Sequence, residues 1–308
     1  MFELEPTCKL ENTYSVDYEK IIKMKQNTIA LICDCDSTLA PDTTNFLLKE
    51  NKINIDSFWD EVRILVENGW DPPLAWMTKI MNFMHSGEID HNTNKKLNQL
   101  GSKIETYNNV KNLVSELRSF ISSNNPDFAK AGVKIEGYVI SQGIEDLIKG
   151  CSDFSDFEVY ASNFAEDGNG IINSIKSIVT FTEKTKFLFA INKGITSSEL
   201  RNAPYLVNNF IPSEERPIPF EHMIYLGDSP NDIPSFSMVE RMGGTSVGVS
   251  GEDTFRKGFE LAKGKRTTVG PYSADYSANS ELRKALESAI LKLSNDIVLK
   301  ERLAGRFN

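Results

Sequence analysis

The sequence predicts an α/β fold: a Rossmann-like, mostly parallel sheet core carrying a helical cap inserted after the first core strand. Three observations carry this. Apolar, β-branched runs recur at 28–34, 133–140 and 222–226, the form taken by strands covered on both faces. Each run ends in polar or glycine-containing text and is followed by helical periodicity. Between the first and second runs lie some 90 residues with helical spacing and no β pattern.

In chain order, residues 1–27 form an arm with a short amphipathic helix over 17–25. The first strand, 28–34, is followed by Pro41-Asp42-Thr43-Thr44, which breaks the pattern and can cap a helix over 45–49. Helices are predicted over 55–67, 73–86, 89–100 and 110–122, punctuated by Asp71-Pro72-Pro73 and Ser86-Gly87. The strand at 133–140 ends at Ser141-Gln142-Gly143, and a helix runs to Gly150. A strand over 157–161, a turn cluster over 165–170 and a helix over 183–192 follow. The strand over 222–226 ends in Gly227-Asp228-Ser229-Pro230-Asn231-Asp232. A short strand over 245–250 and a charged amphipathic helix over 280–303 close the chain. This divides the chain into a core, 1–40 with 133–308, and a helical cap domain, 41–132.

At 308 residues the chain has length for about two such units. Its 43 acidic against 34 basic residues give a net charge of −9, which disfavours nucleic acid or an anionic membrane as the main partner. No run of 18 apolar residues is present, and the first residues lack the basic and apolar regions of a signal peptide. Cys8, Cys33, Cys35 and Cys151 show no disulfide-framework spacing, so reduced thiols in a cytoplasmic protein are expected. Oligomeric state is not legible in the sequence.

Four strand ends or helix starts carry polar groups: Asp34 with Asp36, Ser141, Lys184, and Asp228 with Asp232. In a parallel sheet these meet at one edge, where open α/β sheets bind ligands. The set suits phosphoryl transfer. A carboxylate approaching a phosphate monoester meets repulsion of about 4 kcal/mol per charge pair at ~4 Å and an effective dielectric near 20. A divalent cation among the carboxylates removes that barrier, and Mg²⁺ is the expected ion because it takes hard oxygen ligands. A lysine and a hydroxyl complete the clamp, and a second acid beside the first can move the proton.

Asp34-Cys35-Asp36-Ser37-Thr38 resembles the D-x-D-x-T signature of the haloacid dehalogenase (HAD) superfamily, in the D-x-D-S-T form found in phosphoserine phosphatases. Ser141-Gln142-Gly143, Lys184 and Gly227-Asp228-Ser229-Pro230-Asn231-Asp232 are similar to its second, third and fourth motifs, in the same order. The matching segments cover 28–40 and 133–250. The resemblance implies a phosphoric monoester hydrolase with Asp34 as nucleophile, forming an aspartyl-phosphate, and Asp36 as general acid/base. It implies Mg²⁺ held by Asp34, the Asp36 carbonyl and Asp228, with Asp232 at the same site. Ser141, Gln142, Gly143, Lys184 and Asn231 would bind the phosphate, and the insert would choose a small phosphorylated metabolite.

Alternatives accompany each residue. Asp34 and Asp36 are also helix-capping types, Ser141 a turn hydroxyl, and Asp232 a cap for the next helix. Lys186 and Lys193 compete with Lys184 for the lysine role. Gly227-Asp228-Ser229 is also similar to the nucleophile block of G-D-S esterases, but no histidine follows His222 to complete such a site. His85 and His91 lack a third metal partner at suitable spacing. Trp59, Trp70 and Trp76 suit a core, and the basic residues of the last helix suit a solvated face. The chain departs from phosphoserine phosphatases in having no matching acid soon after the first motif: Asp42 is the nearest. Arg63 or Lys79 could meet a substrate carboxylate. A phosphotransferase or phosphomutase would use the same intermediate, and a non-catalytic phosphometabolite-binding regulator would have no physical need for both Asp34 and Asp36.

Overall fold

In the computed structural model, which describes residues 25–251, 264 and 266–306, the strands are β1 Thr28–Cys33, β2 Lys134–Ile144, β3 Phe157–Glu166, β4 Ile172–Ser177, β5 Met223–Gly227, β6 Thr245–Ser250 and β7 Val269–Ser273. They form one sheet ordered β4-β3-β2-β1-β5-β6-β7. Every neighbouring pair is parallel except β3 with β4. The fold is therefore α/β and Rossmann-like, with helices on both faces. The chain lays strands to one side of β1 and then crosses to β5 on its other side, so the strand order reverses between β1 and β5.

All six residues of β1 are buried. Ile29, Leu31 and Cys33 join the core on one face, whereas Ala30 and Ile32 join the core on the other, as the two-residue side-chain period requires. The outer strands are less apolar. β4 reads Ile-Asn-Ser-Ile-Lys-Ser and β7 Val-Gly-Pro-Tyr-Ser.

The helices are α1 Thr43–Glu50, α2 Ile55–Glu67, α3 Pro72–Ser86, α4 Asn94–Gly101, α5 Leu113–Asn124, α6 Pro126–Ala131, α7 Glu145–Gly150, α8 Glu183–Asn192, α9 Ser197–Asn202, α10 Ile233–Arg241 and α11 Glu281–Leu303. Side-chain caps explain several starts. Asp42 accepts from Asn45 N at 2.7 Å, Asn54 from Ser57 N at 2.8 Å and Thr93 from Lys96 N at 3.0 Å. The Thr93 cap is why the helix expected from Ile89 begins only at Asn94.

Other departures have equally local causes. β2 extends through Ser141-Gln142-Gly143 to Ile144, with its pairing to β3 irregular between Ile140 and Ile144. β3 continues to Glu166 because it gains an antiparallel partner, so the turn cluster tightens to a bend in which Asp167 N donates to Ile171 O at 2.8 Å. β4 and β7 were not expected. His222 closes a 3₁₀ turn, Phe220–His222, before β5, and α5 follows another, Val110–Asn112. Arg283 departs from the solvated face expected of α11: it is buried between Glu116 and Glu287, each 2.8 Å away. The helix expected over 17–25 and Cys8 lie outside the described residues, apart from Lys25.

The helices between β1 and β2 are packed on the rest of the chain at several places. α5 packs on β2 and on α11, α6 packs on α5 and α11, and α4 packs on α7. At that last crossing two glycines meet: a Cβ on Gly101 would lie 2.0 Å from Leu147 O, and one on Gly150 would lie 1.9 Å from Asn98 O. The β3–β4 hairpin reaches α3 and the segment before α4, through Ile172 N to Asn92 O at 2.9 Å and His85 Nε2 against Ile172 O at 3.0 Å. Among the described residues no helix is long and apolar enough to cross a membrane.

Candidate active site

Asp34 follows β1 directly and Asp228 follows β5, so the strand reversal brings both to the carboxyl edge of the sheet. Asp34 N donates to Leu226 O at 2.9 Å, which ties the two strand ends together. The chain then folds back tightly. Leu39 N and Ala40 N donate to Cys35 O at 2.8 and 3.1 Å, Ser37 N donates to Ala40 O at 2.7 Å, and Ser37 adopts a left-handed φ of 60°. This turn faces Asp36 toward α1, whose first residue donates through Thr43 N to Asp36 Oδ1 at 2.7 Å.

Lys184, in the first turn of α8, is fully buried and lies between two carboxylates: Nζ is 3.0 Å from Asp34 Oδ1 and 2.7 Å from Asp232 Oδ1. Carboxylate oxygens of Asp34, Asp228 and Asp232 lie within 4.8 Å of one another. Asp232 is heavily bonded: Tyr225 OH donates to Oδ1 at 2.8 Å, and Ser229 N reaches Oδ2 at 3.3 Å. Its carboxylate needs the bare backbone of Gly227, where a Cβ would lie 2.5 Å from Asp232 Cγ. Asp34 Oδ1 also accepts from Cys35 N at 2.8 Å. The other two lysines lie elsewhere. Lys186 pairs with Glu183 at 2.8 Å, and Lys193 donates to the Val207 and Asn209 carbonyls.

Ser141 is buried, and Gly143 N donates to its Oγ at 3.0 Å. Asn231 Nδ2 donates to Gln142 Oε1 at 3.1 Å, which links the β2 end to the loop after β5. All nine sequence-selected residues thus lie at the carboxyl ends of β1, β2 and β5 or in the adjoining first turn of α8. Thr38 Oγ1, Thr43 Oγ1 and Gln142 Nε2 are buried there with no hydrogen-bond partner among the described residues. Tyr225 and Thr43 were not selected from sequence. Tyr225 is hidden in an apolar strand, and Thr43 reads as an ordinary helix start.

Burial dominates the electrostatics. It raises the Asp34 carboxyl to about 6, with Lys184 pulling it down and Asp232 pushing it up. Burial, then Asp42, raise Asp36 to about 8, while the Thr43 N–H works against the rise. Burial opposes the Lys184 charge, but Asp232 and Asp34 outweigh it and hold the ammonium well above its usual range. One buried cation thus faces a larger number of acids.

The other nominated groups have structural partners. Arg63 is exposed and paired with Asp60 at 3.1 Å, and Lys79 pairs with Glu61. Trp59 Nε1 donates to Asn45 Oδ1 at 2.6 Å and Trp76 is buried, but Trp70 departs from the core expected of it and is exposed, just before the Pro72 helix start. His91 Nδ1 lies 3.0 Å from Asn51 Oδ1.

No family model matches the chain. It is 26% identical over 243 residues to an uncharacterized protein of Borreliella burgdorferi, covering 71% of this chain and 80% of that one. A HAD family hydrolase from Salmonella enterica serovar Typhi aligns with a TM-score of 0.44 and 13% identity over 72% of this chain, and the match spans 62% of that structure's length. Cytosolic 5'-nucleotidase IIIB bound to cytidine aligns with a TM-score of 0.45 and 14% identity over 90% of both chains. A phosphoserine phosphatase in apo form aligns with a TM-score of 0.41 and 14% identity over 84% of this chain and 98% of that one.

Proposed function

We propose that the chain is a Mg²⁺-dependent, HAD-type phosphatase that hydrolyses a small phosphate monoester through an aspartyl-phosphate on Asp34. The observation that carries this is Lys184, buried between Asp34 and Asp232 with Asp228 in the same cluster. A site built only for stability has no use for so many buried acids around one lysine, because each ion costs several kcal/mol to desolvate.

The donor set fits Mg²⁺: hard carboxylate oxygens, buried, with negative charge in excess of the single lysine. Asp34, Asp228 and the Asp36 carbonyl would hold the ion. Asp232, whose two oxygens already accept from Lys184, Tyr225 and Ser229, would hold Lys184 in place. When bound, Mg²⁺ neutralises the charge between nucleophile and phosphate. The chain's own residues do the rest. Asp34 attacks phosphorus, the ester P–O bond breaks, and Asp36, whose carboxyl burial pushes up, gives its proton to the leaving oxygen. Asp36 then takes a proton from water as that water attacks phosphorus and frees Asp34. Ser141 and Lys184 hold the phosphoryl oxygens, and the insert over 41–132 acts as the cap.

We place the protein in the cytoplasm, in keeping with Cys33, Cys35 and Cys151 being unpaired thiols. A phosphatase screen over phosphorylated metabolites, phosphoserine among them, tests the reading. Hydrolysis is expected with Mg²⁺, and its loss with chelator and in Asp34→Asn. Chelator-resistant turnover, or full activity in Asp34→Asn, sinks it.

A further inference from the structure

A second cavity, of about 190 Å³, opens between β3, residues 176–178, α8 and α9. Neither Asp34, Asp36, Ser141, Lys184, Asp228 nor Asp232 lines it. Its volume leaves room for several waters, or for one small metabolite. One wall is apolar: Tyr160, Phe187 and Leu200 are buried there, with the two rings 5.2 Å apart.

The polar part of the lining is held by hydrogen bonds and ion pairs. Ser177 Oγ donates to Asn163 Oδ1 at 3.2 Å, and Asn163 Nδ2 donates to Glu145 Oε2 at 2.9 Å. The buried Glu145 carboxylate is met by Lys149 and Arg201. Among lining residues, Lys176, Lys186 and Arg201 therefore stand against one acid. Glu145 is already matched, and Lys186 is paired with Glu183. The exposed Lys176 makes no ion pair or hydrogen bond to a described residue. An uncharged ligand would leave that cation unmatched, and a cationic one would be repelled. A bare inorganic anion would leave the aromatic wall unused.

We infer that this cavity binds a small organic anion with a planar apolar body, its charge at Lys176 and Lys186 and its body on Tyr160, Phe187 and Leu200. None of the phosphoryl-transfer residues lines the cavity, and the inference stands or falls without the phosphatase reading.

Calorimetric titration of the full chain with 2-naphthoate tests it, with 2-naphthol as the uncharged comparison. One naphthoate per chain is expected, with affinity about tenfold higher than for naphthol. Lys176→Ala should weaken naphthoate by about tenfold, and Lys176→Ala with Lys186→Ala by more. Leu200→Trp, which fills the cavity, should abolish binding, whereas Asp34→Asn should leave it unchanged. The inference is overturned by no binding up to ~1 mM, by equal affinity for acid and alcohol, by indifference to the lysine variants, or by loss of binding in Asp34→Asn.

Discussion

Lys184, Lys186 and Lys193 stand on one helix and its end, and only burial separates their roles. Lys184 is fully buried between two acids, whereas Lys186 and Lys193 lie at the surface with local partners. The sequence favours Lys184 by its place at the helix start, but not by burial, which depends on which side of α8 faces the β1 and β5 ends. The acids were legible, because two carboxylates two positions apart after an apolar run stand out from strand text, although either could cap a helix. Tyr225 was not legible, as one hydroxyl in an apolar strand gives no signal. Tyr225→Phe removes a donor to the buried Asp232 carboxylate and should cost about 1.5–3 kcal/mol in denaturant unfolding. Asp36→Asn should slow turnover far more for alkyl phosphates than for nitrophenyl phosphate, because only the poor leaving group needs the proton. Equal losses on the two ester classes would count against the acid role of Asp36.

At the scale of elements, strands buried on both faces announced themselves as unbroken apolar text, and β1, β5 and β6 lie almost where expected. β4 and β7 escaped because an edge strand has one neighbour and tolerates asparagine, serine, lysine, glycine and proline. The stretch between β1 and β2 was legible as helical, but not how it is tied down. The α4–α7 crossing brings backbone against backbone, with no flexible side chain to move aside. Gly101→Ala should therefore destabilise by about 2 kcal/mol or more despite the better helix propensity of alanine. Gly168→Ala, with nothing within 4 Å of its Cβ position, should be nearly neutral. Thermal or urea unfolding of the two variants side by side decides the point, and equal stability would mean that the crossing can open.

For the molecule as a whole, stability carries a pH dependence from His222, buried at the base of β5. Burial, then Lys300, hold its imidazole below the ordinary value of 6.5. The unfolded chain takes up a proton below about pH 6.5 that the folded chain refuses. The stability from a neutral His222 is thus complete above that pH and is lost as the pH falls toward the folded value, by at most ~1.4 kcal/mol per pH unit. Urea midpoints measured from neutral to mildly acidic pH should fall in the wild type and fall less steeply in His222→Gln. Parallel curves would assign the acid sensitivity to other groups.

The sheet also ends in a particular way. On one side β4 presents exposed Asn173, Ser174 and Lys176, and on the other β7 carries Pro271, which has no N–H to offer. Neither margin is a good template for another strand. Among the described residues, fibre-like or strand-swapped growth is therefore discouraged at both borders of the sheet.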